Sequence, residues 1–239
     1  LGQGSADQVL TSDGTDIAWA DASGGGISGL DGLVENNSIW LGDDPSGTTD
    51  TASYSVALGT TALDAITTGD NNTAIGYDAL GVNTTGANNV AVGYQALDAN
   101  TTASYNTALG ISALTANTTG TRNIGIGSFA LGSNTTANDN ISIGYDSMVS
   151  NTTGASNTAV GAYALDANTT ASNNVGVGIN ALGAATTGHS NASVGSASSS
   201  AITTGYRNVA MGMNSAQGIT TGYENVCLGS NAGISMTTG

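Results

Sequence analysis

The chain has 239 residues, of which 8% are charged, with 36 glycines, one proline, one cysteine and a formal net charge of −15. Its only basic side chains, Arg122 and Arg207, are too few to neutralise a phosphate backbone or an anionic lipid surface, which argues against nucleic-acid and membrane-surface binding. One cysteine allows no disulfide framework and no cysteine-based metal site, and no apolar run approaches the length of a membrane span, about 18 residues.

Residues 1–26 are acidic and non-repetitive. The pattern "QVLTSDGTDIAWAD" predicts a β-hairpin-like module with "SDGTD" at its turn, and Gly24-Gly25-Gly26 reads as a linker. Residues 27–50 hold "ISGLDGLVENNSIWLGDDPSGTTD", in which Trp40 stands where later units have a small residue and Pro45 interrupts the loop. This stretch is expected to be an atypical first coil, acting as the cap that a stacked repeat needs.

From residue 51 to 239 the chain repeats every 17 residues. Gly59, Gly76, Gly93, Gly110, Gly127, Gly144, Gly161, Gly178, Gly195, Gly212 and Gly229 are spaced without a slip, and Gly42 extends the series backwards. A Thr-Thr pair follows eight residues after each glycine from Gly59 onward, and Asn stands four residues before it from Asn72 to Asn225. Seventeen residues are too few for a helical hairpin. The triplets before the glycine, such as Val90-Ala91-Val92 and Val175-Gly176-Val177, alternate large, small, large, which is the period of a strand. Each unit is therefore read as one coil of an all-β parallel β-solenoid, with two short strands and two turns, stacked about 4.8 Å apart.

Stacking brings each residue onto its own copy in the next coil, which explains the scarcity of charge. Asn83, Asn100, Asn117, Asn134, Asn151 and Asn168 share one phase and are expected to hydrogen-bond along the axis, as amide ladders do. The large members of each triplet, Val90, Val92, Val175 and Val177, are expected inside the coil with Leu97 and Leu182. That leaves the small ones, Ala57, Ala74, Ala91, Ala108, Ala159 and Ala210, facing a neighbouring chain.

"NNVAVGYQALDA" (88–99) and "YSVALGTTALDA" (54–65) resemble the head repeat of trimeric autotransporter adhesins. Units of the form "NTAVGYxALxxNTTG" also resemble repeats of bacteriophage tail fibres, as does the opening "SADQVLTSDGTDIAWADASGGG". The resemblance implies a left-handed β-roll and a homotrimeric fibre. The period of 17 departs from the shorter coils of the adhesin heads.

No convergent set of titratable groups marks an enzyme, and no cofactor or metal site is expected. His189 is the only histidine and reads as an exposed loop residue, while Cys227 reads as a small packed hydrophobe. The six Asn-Thr-Thr tripeptides fit the glycosylation pattern but are explained by loop chemistry. The leading functional expectation is a structural fibre, the shaft or head of a phage tail fibre, extracellular and attached to the virion. Its partners would be itself, as a homotrimer, and a host-cell receptor or glycan. The alternatives are a bacterial cell-surface adhesin of the same fold and, in another class, an ice-binding solenoid carrying Thr rows.

Overall fold

The computed structural model describes residues 51–237 and four strands that precede them, β1 (Gln8–Ser12), β2 (Ile17–Asp21), β3 (Gly32–Glu35) and β4 (Ser38–Leu41). Gly42 and Pro45 lie outside the described residues. β1 and β2 form an antiparallel pair in which Leu10 faces Trp19 across the ladder. β3 pairs antiparallel with β4, and β4 pairs in parallel with β5 (Val56–Leu58), placing Trp40 beside Ala57.

From β5 onward the fold is an all-β parallel β-solenoid with one three-residue strand per coil. The strands are β5, β6 (Thr73–Ile75), β7 (Val90–Val92), β8 (Thr107–Leu109), β9 (Ile124–Ile126), β10 (Ile141–Ile143), β11 (Thr158–Val160), β12 (Val175–Val177), β13 (Ala192–Val194), β14 (Val209–Met211) and β15 (Val226–Leu228). They stack in sequence order into one sheet, each residue paired with its counterpart 17 positions on.

The second strand expected after the glycine does not form. The glycine takes a positive φ, as at Gly127 (128°), and the chain then turns through residues of which the second and fourth are left-handed. In one coil these are Gln95 and Leu97, each at φ 53°. A left-handed L-residue costs roughly 1–2 kcal/mol. Burial and hydrogen bonding offset that cost: Leu97 is fully buried, and its N–H donates to Ala113 O in the next coil at 3.1 Å.

The facing of the strands is the reverse of the expectation. In each of β5–β15 the middle residue is buried and the residues on either side of it are not. Val90 and Val175 point outward, 39% and 38% exposed, while Val92 and Val177 are half-buried. Ala57, Ala74, Ala91, Ala108, Ala159 and Ala210 are buried within their own chain, so they do not face a partner.

The reason is the thinness of the coil. A Cβ placed on Gly125 lies 3.0 Å from Ala130 O and 3.2 Å from Leu114 Cγ. The opposite wall already fills the interior with Leu63, Leu80, Leu97, Leu114, Leu131, Leu165 and Leu182, all fully buried. Leu97 and Leu182 thus sit where they were expected, and no room remains for a β-branched residue facing them.

Candidate functional site

An apolar outer face runs the length of the solenoid on its strands, and hydrogen-bonded asparagine columns run inside it. The outer face follows from the alternation. With the small residue turned inward, the residues just before and three before each glycine must turn outward. The column just before the glycine is apolar in every coil: Leu58, Ile75, Val92, Leu109, Ile126, Ile143, Val160, Val177, Val194, Met211 and Leu228. None of these is buried, and Leu109 is 46% exposed. Beside it runs a column of Val, Ile, Thr and Ala, from Val56 to Val226. The residue after the glycine adds Tyr77, Tyr94, Ile111, Tyr145, Ile179 and Met213, all exposed. Tyr77 and Tyr94 stack with centroids 5.4 Å apart, and Phe129, Tyr145 and Tyr163 form edge-on pairs at 6.4 and 5.5 Å.

The stripe runs without a break from β5 to β15, whereas an ordinary monomer scatters its exposed apolar residues singly or in patches of about a few hundred Å².

The predicted asparagines form a continuous inner column. Nδ2 of Asn100, Asn117, Asn134, Asn151 and Asn168 donates to Oδ1 of the preceding member at 2.9, 3.2, 2.8, 3.2 and 2.7 Å. Each Nδ2 from Asn83 to Asn168 also donates to the carbonyl three residues on, as Asn117 does to Gly120 O at 2.9 Å. All six are buried, so the Asn-Thr-Thr tripeptides present no amide for glycosylation. Ile66 precedes the column and Ala185 follows it in phase, and Asn168 Oδ1 at its end has no partner.

A second column escaped the sequence reading. From Asn72 to Asn208 the asparagine four residues before the glycine accepts at Oδ1 from the backbone N–H of the next one, as Asn72 does from Asn89 N–H at 3.0 Å. Its Nδ2 donates to a carbonyl of the following coil, as Asn106 does to Gly120 O at 2.9 Å. The signal was its invariance of phase from Asn72 to Asn225, to which no role was attached.

The Thr pairs divide their tasks. The first hydroxyl bonds the next coil, as Thr84 Oγ1 does to Thr101 O at 3.1 Å, and the second Thr is exposed from Thr68 to Thr221.

Ionisable groups lie at the periphery. Burial raises the carboxyl of Asp98, aided by the charge of Asp78. Asp166 is raised mainly by burial, against hydrogen bonds from its own and the Ala167 N–H, with the charge of Asp146 adding to the rise. Arg122 grips Asp139 in the next coil at 2.6 and 3.0 Å, holding that exposed carboxyl below its usual range, and Arg207 meets Glu224 at 3.0 Å. Among the described residues no group of three or more His, Cys, Asp or Glu is placed to hold a metal ion. His189 is exposed, and Cys227 is buried at the small strand position of β15.

The chain matches no protein-family model, no curated protein and no solved structure. Among the described residues no helix is long and apolar enough to cross a membrane.

Proposed function

We propose that the chain is a structural segment of an extracellular fibre that self-associates side by side through its strand face and serves attachment to a host surface. The observation that carries this reading is the unbroken outward column from Leu58 to Leu228. A solenoid has no internal need for it, because its interior is closed by Leu, Ala and Asn. Association removes the column from water at about 25 cal/mol per Å², and a contiguous exposed apolar face of this length marks a protein–protein contact.

The trimeric state, and the assignment to a phage tail fibre ahead of a bacterial surface adhesin, rest on the resemblance of the repeat and of residues 5–26 to those proteins. The interface is the Val/Ile/Leu face and not the small-residue face. The scarcity of charge fits a stack that meets both its own copies and other chains.

An ice-binding role is less well supported. The exposed Thr residues run single file, because the first Thr of each pair turns its hydroxyl to the next coil, so the second rank of a flat array is missing.

Light scattering at micromolar concentration tests the reading. A particle of three times 23.2 kDa is expected, and a folded monomer would overturn the self-association.

A further inference from the structure

One column changes character near the C-terminal end. Six residues before the glycine, eight coils carry Ser53, Asp70, Ala87, Ser104, Thr121, Asn138, Ala155 and Ser172, and the next three carry His189, Tyr206 and Tyr223. In the earlier coils the column serves the fold. Its side-chain oxygens accept from the backbone N–H one coil back: Asp70 from Ser53 at 2.8 Å, Ser104 from Ala87 at 3.0 Å, Asn138 from Thr121 at 2.7 Å and Ser172 from Ala155 at 3.0 Å. The aromatic residues make no such bond.

Instead they build a ladder. The His189 and Tyr206 rings lie 5.2 Å apart at 15°, and Tyr206 and Tyr223 lie 5.1 Å apart at 4°. His189 and Tyr223 are exposed and Tyr206 is half-buried. The Arg207 guanidinium sits 5.7 Å from the Tyr206 ring centre and holds Glu224 through one nitrogen. Neither tyrosine hydroxyl bonds any group among the described residues, nor do the exposed Thr204 and Thr221, two residues before each tyrosine. The surface therefore offers three aromatic rings repeated at the coil spacing, the free hydroxyls of Tyr206, Tyr223, Thr204 and Thr221, and one guanidinium, that of Arg207.

We infer that this aromatic ladder is a binding site for a neutral, extended hexose polymer. The repeat of about 5 Å in ring position is of the order of one sugar residue along such a chain, so successive sugars meet successive rings. Because the rings stack face to face, it is their edges and the outer faces of His189 and Tyr223 that supply apolar contact, while the tyrosine hydroxyls and the guanidinium supply hydrogen bonds, the mixture that fixes a polar ligand in a shallow site. Charge selects against polyanions. Arg207 is already neutralised by Glu224, and a net charge of −15 repels a like-charged chain. The site does not depend on the strand face, so its test separates from that of self-association.

The full chain and the triple variant His189→Ser, Tyr206→Ser, Tyr223→Ser would be run in native gels containing neutral β-glucan, mannan or galactan, with particle mass measured on the same samples. Serine occupies this column at 53, 104 and 172, so the variant keeps the fold. Retardation of the parent by at least one of these polymers is expected, weakened at least tenfold in the variant at unchanged mass. Absence of retardation by all three, or equal retardation of both proteins, would overturn the inference. A change of mass in the variant would also overturn it, by assigning the ladder to the assembly.

Discussion

The inner asparagine column makes a quantitative prediction, because its middle and its end differ in what a truncation leaves behind. Asn117→Ala, in the middle, removes two bonds donated by Nδ2, to Asn100 Oδ1 and Gly120 O, and the bond that Oδ1 accepts from Asn134. Gly120 O keeps a partner in Asn106 Nδ2. Asn100 Oδ1 and one N–H of Asn134 are orphaned in a dry interior, at about 1–3 kcal/mol each, so the variant loses roughly 2–6 kcal/mol.

Asn168→Ala, at the end, removes the bonds to Asn151 Oδ1 and Ala171 O. Ala171 O keeps Asn157 Nδ2 at 2.8 Å. Asn168 Oδ1 already lacks a partner, so the unsatisfied oxygen moves back one rung to Asn151 and the number of orphans is unchanged. Only the net value of two hydrogen bonds is lost, about 1–3 kcal/mol. Because stacked coils behave as near-neighbour sums, native-state amide exchange in the flanking coils, alongside denaturant melts, reads the difference locally. Equal costs, or a larger cost at Asn168, would refute the ladder as the source of stability.

Two further substitutions and a pH series follow. Gly127→Ala would place a methyl 2.5 Å from Gly144 O at φ 128°, whereas Gly229→Ala meets nothing within 4 Å. The first should abolish soluble folded protein, and the second should cost only backbone strain, about 1–3 kcal/mol, as judged by expression yield and thermal melting. Asp166 binds its proton more readily folded than unfolded. Its charge therefore costs stability above the raised pKa, and that cost is relieved as pH falls toward the unfolded value near 4. Asp166→Asn should raise the melting temperature more at pH 7 than at pH 4, and a shift equal at both would show that burial of this carboxyl carries no penalty.

The period of 17, the all-β class and the asparagine phase were legible because each is a matter of counting. The facing was not. Val90-Ala91-Val92 alternates equally well in either sense, and the usual preference for large residues inside fails where the opposite wall, through Leu97 and Ala96, already fills a thin coil. The missing second strand was hidden for a related reason: Gln95 and Leu97 carry no local mark of left-handed backbone, which neighbouring coils impose through bonds such as Gln95 N to Tyr77 O. The column from Asn72 to Asn225 was visible as an invariant letter, but its bonds run between coils and need the register of the stack to be seen. The aromatic ladder was missed because Tyr206 and Tyr223 stand alone in sequence and meet only across 17 residues.

The central claim, that the outward strand face joins chains while the inward small residues close each coil, is tested most directly by sedimentation equilibrium with circular dichroism on Val92→Asp and Ala91→Trp. Val92→Asp puts a charge on the outer face and should yield a folded particle of 23.2 kDa. Ala91→Trp puts a large ring into an interior that has no space for it and should unfold or fray the stack. A Val92→Asp protein that loses its β-structure, or an Ala91→Trp protein that stays folded and merely dissociates, would contradict the account.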